Sequence, residues 1–170
     1  MQSKPILSGY FLLLVKIFCV LTISMLPLYS WGTPAWAISY GKENLVLKDF
    51  SQQDLTDASF EHANLRGSNF SHVNAQGVRF FAANLESVNF EGANLTGADL
   101  ESARLTNVNL KDAILEGAFV TNAKFDGAII EGTDFTDVLF RPAIQKMLCD
   151  KASGRNSVTG RETRETLFCS

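Results

Sequence analysis

From Phe50 to Phe140 every fifth residue is a fixed point, nineteen in all, and the register never slips. Eight of these centres are Phe and eight are Leu, so the recurring side chain is bulky and apolar; Ala75, Val120 and Ile130 are the others. An α-helix repeats its faces every 3.6 residues and a strand every 2, so neither explains a period of five. Two residues before each centre is a second selected position. It holds Ala ten times and Val five times, and is polar and long only at Lys48 and Gln53. Each pentapeptide therefore offers one large and one small side chain to an interior.

The residue two after the centre shows how the backbone turns. All seven glycines between Lys42 and Phe140 fall there, from Gly67 to Gly132. Where Gly is missing the position often holds Asn, Asp, Ser or His, as at Asn107, Asp112 and His62. Gly, Asn, Asp and His tolerate positive φ best, so a turn with one such site recurs in every unit. Asn or Asp just before the centre, as at Asn84 and Asp99, suits local side-chain to backbone bonds. A turn that always shows the same side chain inward closes into a polygon. Strict recurrence stacks such polygons into an all-β solenoid, one coil pairing with the next at about 4.8 Å. The expected core includes Phe70, Phe80, Leu85, Phe90, Leu95, Leu100, Leu105 and Leu110.

The A(N/D)LXX units, such as Ala93-Asn94-Leu95-Thr96-Gly97 and Ala98-Asp99-Leu100-Glu101-Ser102, resemble the pentapeptide-repeat family over roughly residues 44 to 140. The resemblance implies a right-handed quadrilateral β-helix with four pentapeptides per coil and about five coils. Each residue's vertical neighbour then lies four pentapeptides along the chain. At that spacing Asn69, Asn89 and Asn109 form an amide ladder, and Glu91, Lys111 and Glu131 alternate in charge. Arg66 lies beneath Glu86, and Arg79 beneath Asp99. Exposed pairs of this kind contribute only about 0 to 1 kcal/mol. Phe50, Phe60, Phe70, Phe80 and Phe90 recur at every second pentapeptide and so belong to two opposite walls.

Both ends depart from the pattern. Lys48 and Gln53 suggest an irregular first coil, with Tyr40 to Leu47 as an extended N-terminal cover, so the β-helix with its cover occupies 38–140. At 141–170 the expectation is an α-helical cap. Pro142 suits the first turn of a helix, Ile144, Met147 and Leu148 share one face, and RETRETLFC suggests a second, short helix.

Residues 1–37 read as a signal peptide. Lys4 precedes a long apolar stretch, and Ala35-Trp36-Ala37 fits the small-x-small processing pattern, leaving Ile38 as the mature N-terminus. The alternative is an uncleaved membrane anchor, since the apolar stretch approaches the roughly 20 residues a span needs. Cleavage removes Cys19 and leaves Cys149 and Cys169. An even pair in an exported chain favours a disulfide, with free thiols as the alternative. Two cysteines and two distant histidines make a poor zinc site. The tail from Asn156 to Cys169, Asn-x-x-Thr-Gly-x-x-Thr-Arg-x-x-Leu-x-Cys, is similar to the C-terminal segment of thylakoid-lumen pentapeptide-repeat proteins of cyanobacteria and chloroplasts. That similarity, with the export signal, implies a thylakoid lumen or a periplasm.

No phosphate loop, nucleophile elbow or paired metal motif is present, so no enzyme, cofactor or metal is expected. His62 and His72 stand at outward turn positions. Formal net charge is −3, which makes nucleic acid an unfavoured partner. Residues 42–140 hold 15 acidic and 7 basic residues, a balance of −8, whereas 141–170 hold 3 and 6, a balance of +3. Some family members mimic DNA with an acidic rod and inhibit gyrase; an exported chain would not meet that enzyme. Phe81, Ile114, Phe119, Ile129 and Leu139 are apolar at outward positions. Phe119 and Leu139 are one coil apart and stack on one wall if the ladder reaches them. The C-terminal helix is expected to cover them, and the alternative is a docking patch of Phe81, Phe119 and Leu139. The reading that results is a non-enzymatic, exported interaction scaffold with an unidentified protein partner. The alternatives are a membrane-tethered regulator and, third, a gyrase inhibitor. Whether the protein is a monomer or a dimer is left open.

Overall fold

The computed structural model describes residues 38–170. The signal segment and its cleavage site lie outside the described residues. In every pentapeptide from Tyr40 to Phe135 except that of Phe50, the centre's carbonyl accepts a bond from the N–H three residues on, as Phe60 O does from Ala63 N at 3.0 Å. The third residue of that turn has positive φ at all twenty positions from Lys42 to Asp137, between 54° and 70°. Positive φ there is what a type II turn requires. Leu47, Gln52 and Ala82 hold it despite a Cβ that disfavours it. The lattice, rather than the local residue, therefore imposes the turn. Side chains just before the centre support it: Asn69 Oδ1 accepts from Ser71 N at 3.1 Å, and Asp99 Oδ1 from Glu101 N at 3.0 Å.

Successive circuits pair in parallel, each residue with its counterpart four pentapeptides on, from Ser39 with Ser59 to Ile114 with Asp134. Leu95 N donates to Ile114 O at 2.7 Å, and Ile114 N to Ala93 O at 2.9 Å. Four pentapeptides thus make one circuit. The five circuits are 38–57, 58–77, 78–97, 98–117 and 118–137. Each pairing is a single bridge, because a turn in every pentapeptide leaves too little extended backbone for a longer strand. Four walls follow, labelled by their centres. Wall A carries Tyr40, Phe60, Phe80, Leu100 and Val120; wall B carries Leu45, Leu65, Leu85, Leu105 and Phe125. Wall C carries Phe50, Phe70, Phe90, Leu110 and Ile130; wall D carries Leu55, Ala75, Leu95, Leu115 and Phe135.

All these centres except Tyr40, which is half-buried, are buried. That set includes Phe70, Phe80, Leu85, Phe90, Leu95, Leu100, Leu105 and Leu110, none with measurable exposure. Burying each Leu or Phe stabilises the fold by about 1.5 to 3 kcal/mol. The aromatic rings make two columns. Tyr40 stacks on Phe60 and Phe60 on Phe80, at 4.7 and 5.3 Å, along wall A. Phe50 and Phe70 stack at 4.7 Å along wall C, and Phe60 meets Phe70 edge-on across the axis at 5.5 Å. Edge-on and offset contacts are the arrangements the ring quadrupole favours. Two buried hydroxyls fit the interior because each has a partner. Ser68 Oγ donates to Leu45 O at 2.7 Å, and Thr133 Oγ1 to Leu110 O at 2.8 Å.

The first coil corrects the expectation of an irregular start beneath an N-terminal cover. Lys42, Leu47, Gln52 and Asp57 have the standard turn φ, and Ser39 and Asn44 bridge regularly to Ser59 and Asn64. Residues 38–47 are therefore the first half of coil one. Glu43, Lys48 and Gln53 are exposed, while their counterparts Ala63, Ser68 and Val73 in coil two are buried. The small inner position is polar in coil one because there its side chain meets no preceding described coil.

At the other end the ladder stops at Asp134, not at Phe140. Phe140 still packs edge-on against Phe125 and Phe135, at 5.7 and 5.5 Å, but its backbone has left the stack. Two helices follow, α1 (Pro142–Cys149) and α2 (Thr163–Thr166). Leu148 on α1 and Leu167 after α2 are buried in the same apolar cluster as the coils. Cys149 and Cys169 are disulfide-bonded, with Cα atoms 5.5 Å apart. Among the described residues no helix is long and apolar enough to cross a membrane.

The strand-like return between the helices is held by Asn156, whose side chain is buried. Its amide donates to Asp112 O, Ala113 O and Gly132 O at 2.8 to 3.2 Å. Its Oδ1 accepts from Val158 N and Thr159 N. The tail reaches the coil backbone closely: Gly132 N donates to Ser153 O at 2.9 Å, and a Cβ on Gly154 would lie 2.9 Å from Gly132 N. With φ of +81°, only glycine suits that point. Arg161 spans Glu116 Oε2, Asp134 Oδ2 and Thr136 Oγ1 at 2.7 to 3.2 Å.

Candidate interaction surface

The residue before each centre sets the character of a wall, because it bridges to its counterpart one coil away. On wall B, Asn44, Asn64 and Asn84 bond amide to amide at 3.1 to 3.2 Å. On wall C, Asn69 donates to the Asp49 carboxylate at 3.1 Å, and Asn69, Asn89 and Asn109 continue amide to amide at 2.9 to 3.3 Å. Wall D begins alike, with Asn74 donating to Asp54 at 3.1 Å. Wall A has no such ladder. Its column reads Ser39, Ser59, Arg79, Asp99 and Phe119.

Two of the three expected docking residues belong to wall A. Phe81 is 37% exposed, with His62 edge-on to its ring at 5.6 Å. Phe119 is 59% exposed. Leu139, which follows the last coil, is 90% exposed. The expected ladder contact between Phe119 and Leu139 is not made, because bridging ends at Asp134. Nor does α1 cover them, contrary to expectation: it buries Leu148 inward and leaves both residues in water. Ile129 is exposed on wall C, while Ile114 on wall D is half-buried.

The ion pairs correct the expectation of vertical pairing. Arg79 pairs with Glu61 at 2.7 Å and Arg104 with Glu86 at 3.9 Å, each partner lying two positions short of a full circuit. Neither the Arg66–Glu86 nor the Lys111 pairing forms among the described residues. The side chain before a centre leans across its own turn, so it meets the residue after the centre on the coil below. Asn74 reaches Thr56, and Asn109 reaches Glu91, along the same diagonal.

Sequence reasoning missed one region, the corner between walls A and B. There Arg104 bridges to Lys124, which puts two cations on adjacent coils. A groove lined by Ala82, Asn84, Ser102, Arg104 and Lys124 runs along this corner. It shares Lys124 with a cleft of about 460 Å³ bounded by Val120, Asn122, Leu139, Phe140, Arg141 and Ile144. The signal was available in the column Asn84, Arg104, Lys124, whose members stand one circuit apart. Among the described residues, no group of His, Cys, Asp or Glu is placed to hold a metal.

Charges elsewhere on the surface are tied to structure. Side-chain and backbone bonds from Thr56 hold the Asp54 carboxyl below its ordinary range, and bonds from Ser51 do the same for Asp49. Burial pushes Asp134 up, but Thr136, Thr159 and the Arg161 guanidinium outweigh it and leave the group lowered. Burial lowers Lys151, whose Nζ donates to Ala128 O at 2.6 Å.

The family model for the pentapeptide repeat region matches residues 49–135. The chain is a pentapeptide-repeat protein. A pentapeptide repeat protein from the Arabidopsis thaliana thylakoid lumen is 42% identical, with a TM-score of 0.76, over 76% of this chain and 90% of that one. HetL, a pentapeptide repeat protein involved in heterocyst differentiation regulation in the cyanobacterium Nostoc sp. strain PCC 7120, is 26% identical over 57% of this chain and 48% of its own, with a TM-score of 0.42. QnrB1, a plasmid-mediated fluoroquinolone resistance protein, is 18% identical over 62% and 74%, with a TM-score of 0.27. A search of curated protein sequences finds no match. The pentapeptide-repeat relatives imply a right-handed quadrilateral β-helix, and the four five-residue walls per circuit agree with its quadrilateral form.

Proposed function

We propose that this pentapeptide-repeat protein is a non-enzymatic scaffold, exported to a thylakoid lumen or periplasm, that binds another protein through wall A. The observation that carries the reading is the contrast between walls. Walls B and C use the position before the centre to build side-chain ladders, and wall D starts with one rung between Asn74 and Asp54, whereas wall A uses it for Arg79, Asp99 and Phe119. Phe81 and Phe119 contribute nothing to the core, and each exposed apolar surface is unfavourable in water unless something covers it. The thylakoid-lumen relative at 42% identity supports the compartment, as does a cysteine pair in bonded geometry. On this reading residues 1–37 are a signal peptide removed after Ala37, and 141–170 cap the end of the rod.

Two measurements test it. Mass spectrometry of the native protein should find Ile38 at the N-terminus; an intact N-terminus would favour the membrane-tethered regulator. Crosslinking in isolated lumen or periplasm should trap a protein with the natural chain and lose it with Phe81→Ser/Phe119→Ser. Equal trapping by both chains would remove wall A from the reading. A supercoiling assay should find DNA gyrase unaffected.

A further inference from the structure

We propose that the corner between walls A and B, continuing to α1, is a docking groove for an acidic protein segment that carries a bulky apolar side chain. The proposal rests on the scaffold reading and names the chemistry of its partner. The groove holds three cations, Arg104, Lys124 and Arg141, and no carboxylate lines it. Arg104 and Lys124 occupy bridged positions on adjacent coils, about 4.8 Å apart in backbone. Like charges so placed repel, and the same column begins as a neutral Asn ladder that would have continued without that cost. Compensation within the chain is slight. Arg104 reaches Glu86 only at 3.9 Å, Arg141 bonds the neutral Asn122 side chain, and Lys124 has no ion pair among the described residues.

The apolar lining decides between classes of anionic partner. Val120 and Phe140 form the inner side of the cleft, Ile144 is half-buried beside them, and Leu139 projects at its mouth. Such a lining favours a Leu or Phe side chain flanked by carboxylates. It offers nothing to a phosphate backbone. Residues 42–140, with their balance of −8, would also repel a long polyanion while leaving a short acidic segment free to meet the local cations.

The test uses the protein purified from its own cells and three labelled octapeptides, EEDLFDEE, KKRLFRKK and EEDSSDEE, with a single-stranded DNA oligonucleotide as a fourth probe. Fluorescence anisotropy should show EEDLFDEE bound at least tenfold more tightly than each of the others, and more weakly as salt rises. Lys124→Glu should weaken it about tenfold and Leu139→Ser several-fold. Both positions are exposed, so thermal melting of the variants should match the natural chain. Equal binding of the basic peptide, preference for the oligonucleotide, no binding of EEDLFDEE, or indifference to Lys124→Glu would each overturn the proposal. If it falls while Phe81→Ser/Phe119→Ser still abolishes crosslinking, the scaffold reading stands without the acidic partner.

Discussion

Arg79 shares a backbone bridge with Asp99 on the coil above, yet its guanidinium pairs with Glu61 on the coil below, at 2.7 Å. Both groups are about half exposed, so the pair contributes no more than about 1 kcal/mol. Its value is geometric, because it shows which way outward side chains lean. Glu61→Gln should therefore change stability by less than about 1 kcal/mol in a urea melt. Asp99→Asn should leave the Arg79 pairing intact, as read by the Glu61 side-chain resonance. A shift of that resonance in Asp99→Asn would contradict the diagonal.

Inside and outside differ far more. Leu100 is fully buried, and an aspartate there would set an unpaired charge in the apolar axis. Leu100→Asp should cost upwards of about 4 kcal/mol and unfold the rod. Thr96→Asp, on the preceding turn, should cost about 1 kcal/mol or less. Circular dichroism on heating separates them, and similar losses would sink the assignment.

Asn156 joins the tail to two coils through three carbonyl acceptors and organises its own loop through two backbone donors. Asn156→Ala leaves Asp112 O and Gly132 O without a donor, at about 1 to 3 kcal/mol for each group stranded, while Ala113 O keeps its bond from Asp134 N. Hydrogen exchange should quicken first at Val158, Thr159 and Thr163, with coils two and three protected as before. Uniform loss of protection along the rod would mean that the tail and coils unfold as one unit.

The Cys149–Cys169 bond closes a loop of sequence separation 20. By loop entropy it should stabilise the tail by about 3 kcal/mol. Cys149→Ser/Cys169→Ser should expose Leu148 and Leu167 at lower denaturant than the natural chain does. An unchanged midpoint would show that Asn156 and Arg161 hold the tail by themselves.

Acid should act on the same tail. The folded Asp134 carboxyl titrates below its ordinary value near 3.8, so it stabilises the fold fully above that value. The contribution is lost as pH falls through the lower, folded value. The melting temperature should drop below about pH 4, and less steeply in Asp134→Asn, which keeps an acceptor for Thr136 but gives up Arg161. Parallel curves for the two chains would exclude Asp134 as the source.

Much of this fold was readable in the sequence because repetition averages out local ambiguity. Leu95 alone could belong to any element; Leu95 between Phe90 and Leu100, with Gly97 after it, could belong only to a turn-built coil. Tyr40 and Leu45 were harder. They keep the register, but Glu43, Lys48 and Gln53 hide it, since an end coil has no preceding described coil against which to bury its small positions. The direction of Arg79 was not readable, because period fixes which residues stack and not how long side chains lean. Asn156 was visible only as part of a similar tail. Its role depends on three carbonyls from Asp112, Ala113 and Gly132, which no local pattern brings together.

The uniform positive φ at the third turn residue makes all pentapeptides interchangeable for the interior. They are not interchangeable for the exterior. Losing a single pentapeptide would keep every hydrophobic centre on the axis yet rotate everything after it by a quarter turn. With the loss between Arg104 and Phe119, Phe119 would share a face with Asn94 rather than Asp99, and Lys124 would no longer follow Arg104. Length variation that preserves what the rod displays must therefore come in whole circuits, while the gain or loss of one pentapeptide leaves the molecule folded and re-dials its surface.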